Sequence, residues 1–182
     1  WQGHDFSFRV MSGIHDAAKS GCAHLTSFLG TDSSAALDYA EQYYSGAETF
    51  LGGSVPATEH SVMCMGGNDD ELKTFKRLIT ELYPSGVISI VSDSWDFWKV
   101  ITDYAKTLKE DILDRTPNAL GLAKVVFRPD SGDPVKIICG DRAVQNEENP
   151  AYKGAVQCLW DIFGGTFTST GHKLLNQRVG VI

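Results

Sequence analysis

Short polar runs carry most of the residues in this chain that could do chemistry. They are His4-Asp5-Phe6-Ser7-Phe8-Arg9, Gly30-Thr31-Asp32, Gly52-Gly53-Ser54-Val55-Pro56-Ala57-Thr58-Glu59-His60-Ser61, Ser92-Asp93-Ser94 and Arg128-Pro129-Asp130-Ser131-Gly132. Arg9 and Arg128 each present a planar fork of donors that suits a phosphate or a flat ring. Both follow apolar, strand-like residues, which predicts strand ends for them rather than solvated helix faces. Asp32, Asp93 and Asp130 supply carboxylate oxygens, hard donors that also accept hydrogen bonds. Asp32 also stands where a helix needs an N-cap, a post that Ser33 could fill instead. His60 has the one side chain that ordinarily changes charge near neutral pH, although a lone histidine is more often structural than catalytic.

The elements that must position these residues follow from periodicity and punctuation. The run 24–28 (HLTSF) reads as a strand, Thr31-Asp32 as the loop after it, and 33–44 as a helix. Asn68-Asp69-Asp70 precede a helix over 71–83, with Leu72, Phe75, Leu78, Ile79 and Leu82 on one face and Pro84 and Gly86 beyond it. The β-branched run 87–91 is a strand. A helix follows it with Trp98, Ile101, Ala105, Leu108 and Ile112 on its buried face. The next strand, 122–127, runs straight into Arg128-Pro129-Asp130. Pro150 opens a helix over 151–163 with Tyr152, Ala155, Val156, Leu159 and Phe163 inward and Gly164-Gly165 as its stop. Two β-prone runs flank Thr170-Gly171, and the last residues form a further core strand; 140–150 is the expected flexible loop. Strands that alternate with helices and end in polar turns predict an α/β parallel sheet or barrel with its site at the strands' C-terminal ends.

Composition narrows the classes. With 182 residues, 42% of them hydrophobic and 21% charged, the chain can bury one substantial core. A formal charge of −7 argues against nucleic acid or an anionic membrane as partner, but not against a phosphorylated small molecule. The four cysteines form no C-x-x-C pair, so they read as buried reduced thiols of a cytoplasmic protein rather than a zinc site or disulfide framework. No apolar run approaches the roughly 18 residues of a membrane span, and no secretory leader is visible. Trp1 at one end and a β-prone run, Val179-Gly180-Val181-Ile182, at the other suggest truncation at both ends.

In this order and at these separations the polar runs resemble the nicotinate and nicotinamide phosphoribosyltransferase family, in particular its nicotinamide branch. The likeness covers essentially the whole chain, including 171–182, which is similar to the hairpin strand preceding that family's Gly-Asp phosphoribosyl-binding turn. It implies an incomplete α/β barrel of the type II phosphoribosyltransferase kind, truncated here, with 1–182 as the central part of the barrel domain. It further implies a homodimer with its sites at the subunit interface. The implied reaction is phosphoribosyl transfer from phosphoribosyl pyrophosphate to nicotinamide, giving nicotinamide mononucleotide and pyrophosphate in NAD salvage, with magnesium accompanying the pyrophosphate. The alternatives are a nicotinate-specific enzyme and a non-catalytic fragment that only binds or self-associates.

Residue by residue, Phe6 resembles the family's ring-stacking aromatic, core packing being its other reading. Arg9 and Arg128 resemble its phosphate and ring contacts. Asp32 would accept a hydrogen bond from the nicotinamide NH₂ and repel the carboxylate of nicotinate. His60 matches the histidine that ATP phosphorylates, and Asp93 and Asp130 match carboxylates around the ribose and magnesium. Ser54 and Ser92 would line the same pocket. Val10 stands where the family usually has Gly. The family's phosphoribosyl-binding loops would lie beyond Ile182 and its partner-subunit aromatic before Trp1, so the 182-residue chain alone is expected to show little or no turnover.

Overall fold

The computed structural model describes residues 3–44 and 50–182. Contacts divide the chain into two compact units, Trp1–Val55 and Pro56–Ile182. In the first, β1 (His4–Asp5) pairs in parallel with β2 (Gly30–Thr31), placing His4 opposite Gly30 and Asp5 opposite Thr31. Gly53 adds a further parallel bridge: the Thr31 amide donates to its carbonyl at 3.0 Å, and its own amide donates to Leu29 O at 2.8 Å. Helices α1 (Ile14–Leu25) and α2 (Ser34–Tyr43) meet through small residues, Ala17, Ala18, Gly21 and Cys22 on one and Ala35, Ala36 and Ala40 on the other. A Cβ on Gly21 would lie 2.6 Å from that of Ala36, so the lack of a side chain sets how closely the helices approach.

The strand expected over 24–28 is absent. His24 and Leu25 close α1, and the strand before α2 is the two-residue β2. The alanine and glycine face that carries α1 gives little hydrophobic contrast, so its helical period is faint in the sequence, whereas burial of that face against α2 overrides the β propensity of HLTSF.

In the second unit β3 (Val87–Val91), β4 (Lys124–Arg128) and β7 (Val179–Val181) form a parallel sheet in the order β3-β4-β7. Residues 56–58 extend it beside β3, where Thr58 N donates to Ser89 O and Ser89 N to Pro56 O. From Ile88 to Val91 every β3 residue is buried, as expected of a parallel strand covered on both faces. The covering helices are α3 (His60–Cys64), α4 (Glu71–Arg77) with its π-helical continuation Leu78–Leu82, α5 (Phe97–Lys99), a π-helical segment Val100–Tyr104, α6 (Ala105–Thr107) and α7 (Lys109–Leu113). Further along come α8 (Pro134–Cys139), α9 (Pro150–Lys153) and α10 (Ala155–Phe163). Phe75, Ile79, Ile88, Ile101, Ile112, Phe127 and Leu159 are among the core side chains.

The helical runs over 71–83 and 97–113 fall where the apolar spacing placed them, except that Leu82 is exposed because the π-helical turn rotates it off the buried face. The single helix expected over 151–163 is broken at Gly154, whose φ of 82° is closed to most side chains. After the break Val156 turns outward and Cys158 packs inward. Helix α8 was not anticipated, although Asp133, which caps it, and Pro134 at its first turn are ordinary start signals. The tail forms an antiparallel hairpin, β5 (Gly165–Phe167) with β6 (Lys173–Leu175), before β7. Cys22 and Cys158 are buried as expected, while Cys64 and Cys139 are exposed. Among the described residues the sheets are open, and no helix is long and apolar enough to cross a membrane.

Candidate functional site

Parallel pairing brings strand C-termini to one edge of a sheet, and in each unit the polar runs occupy that edge. In the first unit, Asp5 ends β1 and its carbonyl accepts the Asp32 amide at 2.8 Å, which ties the residue after β2 to the end of β1. The Asp5 carboxylate accepts from Ser7 N at 2.9 Å and so starts a 3-10 turn over Ser7–Val10. Burial pushes the Asp5 pKa up, but the Ser7 side chain and amide, Ser33 and His24 outweigh it and hold the value below the usual carboxylate range. Phe6, 41% exposed, offers an open ring face, with the His4 ring centroid 4.5 Å away. Arg9 lies exposed on the 3-10 turn rather than at a strand end. Val10 takes an ordinary backbone conformation, since no described non-glycine residue has positive φ.

The Asp32 carboxylate does not cap α2. Its Oδ1 accepts from Ser54 Oγ and lies 3.2 Å from His4 Nε2, while the Ser33 amide is taken by Thr31 Oγ1 at 3.0 Å. Asp32 and Ser54 are therefore brought together, exposed, beside His4.

In the second unit the strand-like segment 56–58, β3 and β4 deliver His60, Asp93, Arg128 and Asp130 to their C-terminal ends. His60 Nε2 stands 3.2 Å from Asp93 Oδ1, and the Asp93 side chain is only 8% exposed against 44% for His60. The other Asp93 oxygen accepts from Asp130 N at 2.9 Å and Ser131 Oγ at 2.6 Å. Burial raises the Asp93 pKa, but Ser131, the Asp130 amide and His60 together bring it below its ordinary value. An ionised Asp93 can only accept, so Nε2 of His60 donates to it, and the neutral tautomer this favours has its lone pair on Nδ1. Arg128 ends β4 as expected. Its Nη2 donates to Thr58 O at 2.7 Å and lies 3.7 Å from Glu59 Oε1.

Ser92 does not line this edge: it is fully buried and its hydroxyl donates to Ile90 O at 2.7 Å, which closes the turn after β3. Asp130 is exposed, and among the described residues no group of three potential ligands could hold a metal. The residues that the sequence did not single out are His4, Thr58, Glu59 and Ser131, all inside the polar runs. His4 opens the first polar run, but β1 is only two residues long and leaves no strand period that would mark it. A cleft of about 660 Å³ in the second unit is lined by Arg142, Tyr152, Trp160 and Lys173 and by none of these residues. Its cations already cover its own aromatic rings, Arg142 over Tyr152 and Lys173 over Trp160.

Residues 1–181 match the nicotinate phosphoribosyltransferase (NAPRTase) family. The chain belongs to that family. It is 69% identical over 181 residues to a nicotinamide phosphoribosyltransferase of Acinetobacter baylyi, covering 100% of this chain and 35% of the relative. Nicotinamide phosphoribosyltransferases of Mycoplasma pneumoniae, 37% identical, and Xanthomonas campestris pv. campestris, 35% identical, match 100% and 95% of the chain and 36% and 33% of their own lengths. The chain thus spans about a third of the length of these family members.

Proposed function

We propose that the chain is the nicotinamide-side and catalytic-histidine part of an enzyme that transfers phosphoribosyl from phosphoribosyl pyrophosphate to nicotinamide, yielding nicotinamide mononucleotide and pyrophosphate. The observation that carries this reading is the His60–Asp93 pair, an open imidazole oriented by a buried, ionised carboxylate at the C-terminal edge of a parallel sheet. Family membership and the names of the relatives support the same reaction. The open sheet fits an incomplete type II barrel completed by chain outside these residues, and a homodimer follows from the family likeness.

The reaction forms a bond between the pyridine nitrogen and ribose C1 as the bond to pyrophosphate breaks, through an oxocarbenium-like state. Negative charge near the ribose stabilises that state, a role within reach of Asp93 and Asp130. Arg128, fixed by Thr58 O, presents a guanidinium to phosphate or ring, with Arg9 as a second cation in the first unit. Magnesium would arrive on the pyrophosphate, neutralising its charge; the exposed Asp130 carboxylate is the hard donor available to it. With Nε2 turned to Asp93, Nδ1 of His60 is the nucleophile for ATP: the N–P bond forms as the bond to ADP breaks. In the first unit Phe6 stacks the ring, while Asp32, held by Ser54, accepts the carboxamide N–H. A carboxylate in that place would meet like charge, which selects the amide.

The test uses the full-length polypeptide that carries residues 1–182. His60→Ala should abolish ATP-stimulated formation of mononucleotide while leaving nicotinamide binding, read by calorimetry, within about threefold. Survival of ATP stimulation would remove the phosphohistidine role. A higher kcat/KM for nicotinate than for nicotinamide would favour the acid-specific alternative, after which the family is named.

A further inference from the structure

We propose that His4 is the positioning residue that sets the choice between a carboxamide and a carboxylate on the ring substrate, by fixing which oxygen of Asp32 is offered to it. This rests on the reading of Asp32 given above. In β1 His4 lies opposite Gly30, and its ring sits against that glycine so closely that a Cβ there would be 2.5 Å from Nδ1. The imidazole is thereby held with Nε2 toward Asp32, its side chain 16% exposed against 37% for the aspartate.

Both protein donors that reach Asp32, His4 Nε2 and Ser54 Oγ, converge on Oδ1. Oδ2 has no hydrogen-bond partner among the described residues, and the side chain that carries it is 37% exposed. A carboxylate pinned by one oxygen presents the other in a fixed direction, as an acceptor that carries charge and has no proton to give. A carboxamide N–H satisfies it; the oxygens of an acid face it with lone pairs and like charge. The same histidine ring adjoins the ring of Phe6, with centroids 4.5 Å apart and planes inclined at 37°. One side chain therefore registers the stacking face against the acceptor, and small errors in such registration cost selectivity.

Loss of the His4 donor leaves Asp32 held by Ser54 alone, free to turn Oδ2 away or to admit water between itself and an acid. The expected result is a fall of at least about tenfold in the ratio of kcat/KM for nicotinamide to that for nicotinate, the size of one charge-assisted hydrogen bond. A merely structural role would lower the melting temperature or the turnover of both substrates and leave their ratio in place.

The experiment compares the full-length polypeptide with His4→Ala, His4→Gln and His4→Asn, measuring kcat and KM for both ring substrates and the melting temperature of each. The Gln amide can put an N–H near the place of Nε2, and the Asn amide reaches only as far as Nδ1. His4→Gln should therefore keep the ratio within about threefold, whereas His4→Asn and His4→Ala should lose it. Should His4→Ala not fold, the Gln and Asn pair decides the matter. A ratio unchanged in His4→Asn, or lost equally in His4→Gln and His4→Asn, would overturn the proposal while leaving the proposed reaction standing. No transfer to nicotinamide by the unaltered polypeptide would overturn both.

Discussion

The residue on which most of the second unit's chemistry turns is Asp93. Its two oxygens receive His60 on one side and Asp130 N and Ser131 Oγ on the other, so one carboxylate both orients the imidazole and closes the turn after β4. Its pKa lies below the unfolded value of 3.8, and its contribution to stability is therefore fully present above that value and is lost as pH falls through the folded pKa. Asp93→Asn should cost about 1.5–3 kcal/mol near neutral pH, the usual range for hydrogen bonds to a charged group. In urea titrations the gap between the two proteins should hold down to about pH 4 and then narrow on further acidification. A gap that widened toward acid pH would contradict the ionised assignment. Under the proposed phosphohistidine role, ATP stimulation should fall in the same variant, because an amide in this place can stabilise the wrong His60 tautomer.

At the scale of elements, the second unit depends on an arginine that no charge partner explains. Arg115, 3% exposed, follows α7 and donates to Ile79 O at 2.8 Å and to Ser85 O and Gly86 O at 3.1 Å each. Those carbonyls belong to the end of the α4 π-helical turn and to the turn that launches β3. Helix ends leave carbonyls without intrahelical donors, and a planar fork can satisfy several at once. Burial, with Arg178 nearby, holds the Arg115 pKa below its usual value, so the cation is kept by these carbonyls at a desolvation cost. Arg115→Lys should destabilise the polypeptide by about 2–4 kcal/mol, because one ammonium cannot span the three acceptors and leaves carbonyls buried without partners. The measurement is the denaturation midpoint at constant slope; a change under about 0.5 kcal/mol would refute the clamp.

Elements also show where sequence reading succeeds. The strand over 87–91 and the helices after it were legible because continuous β-branched burial and apolar residues at helical spacing leave strong patterns over enough residues. Two-residue strands such as β1 and β2 leave none, and the alanine-rich face of α1 carries too little contrast. Site residues were legible as motifs, but their partnerships were not. His4 and Asp32 are 28 positions apart, and Asp93 and Ser131 are 38, so only strand register brings each pair together. Ser92 was placed on the site by its position in Ser92-Asp93-Ser94, and only the backbone turn after β3 reveals that its hydroxyl is committed to Ile90 O.

For the molecule as a whole, a formal charge of −7 and an excess of acidic over basic side chains make the pH profile of stability a sum over many carboxylates. Glu71 runs against Asp5, Asp93, Asp141 and Glu148, which are all held below the usual carboxylate range. Glu71 opens α4 yet is 1% exposed, and its Oε1 has no hydrogen-bond partner. Burial lifts its pKa from 4.5 to about 6, with Tyr104 and Lys99 offsetting part of the rise. A carboxyl whose pKa is raised on folding is held in its protonated form by the native state, which binds more protons than the unfolded chain between those two values. Stability from this group therefore declines as pH rises from 4.5 to about 6 and stays reduced above that. The difference of about 1.5 pK units corresponds to roughly 2 kcal/mol. Glu71→Gln removes the titration while keeping the shape. The variant should accordingly gain up to about 2 kcal/mol on the parent near neutral pH relative to their difference near pH 4.5, with the change completed by about pH 7. Contributions from the other carboxylates cancel in that difference, so urea midpoints at a series of pH values read Glu71 alone. A difference constant across the window would show that Glu71 ionises normally in the folded core and that its burial is relieved by some rearrangement of Tyr104 or Lys99.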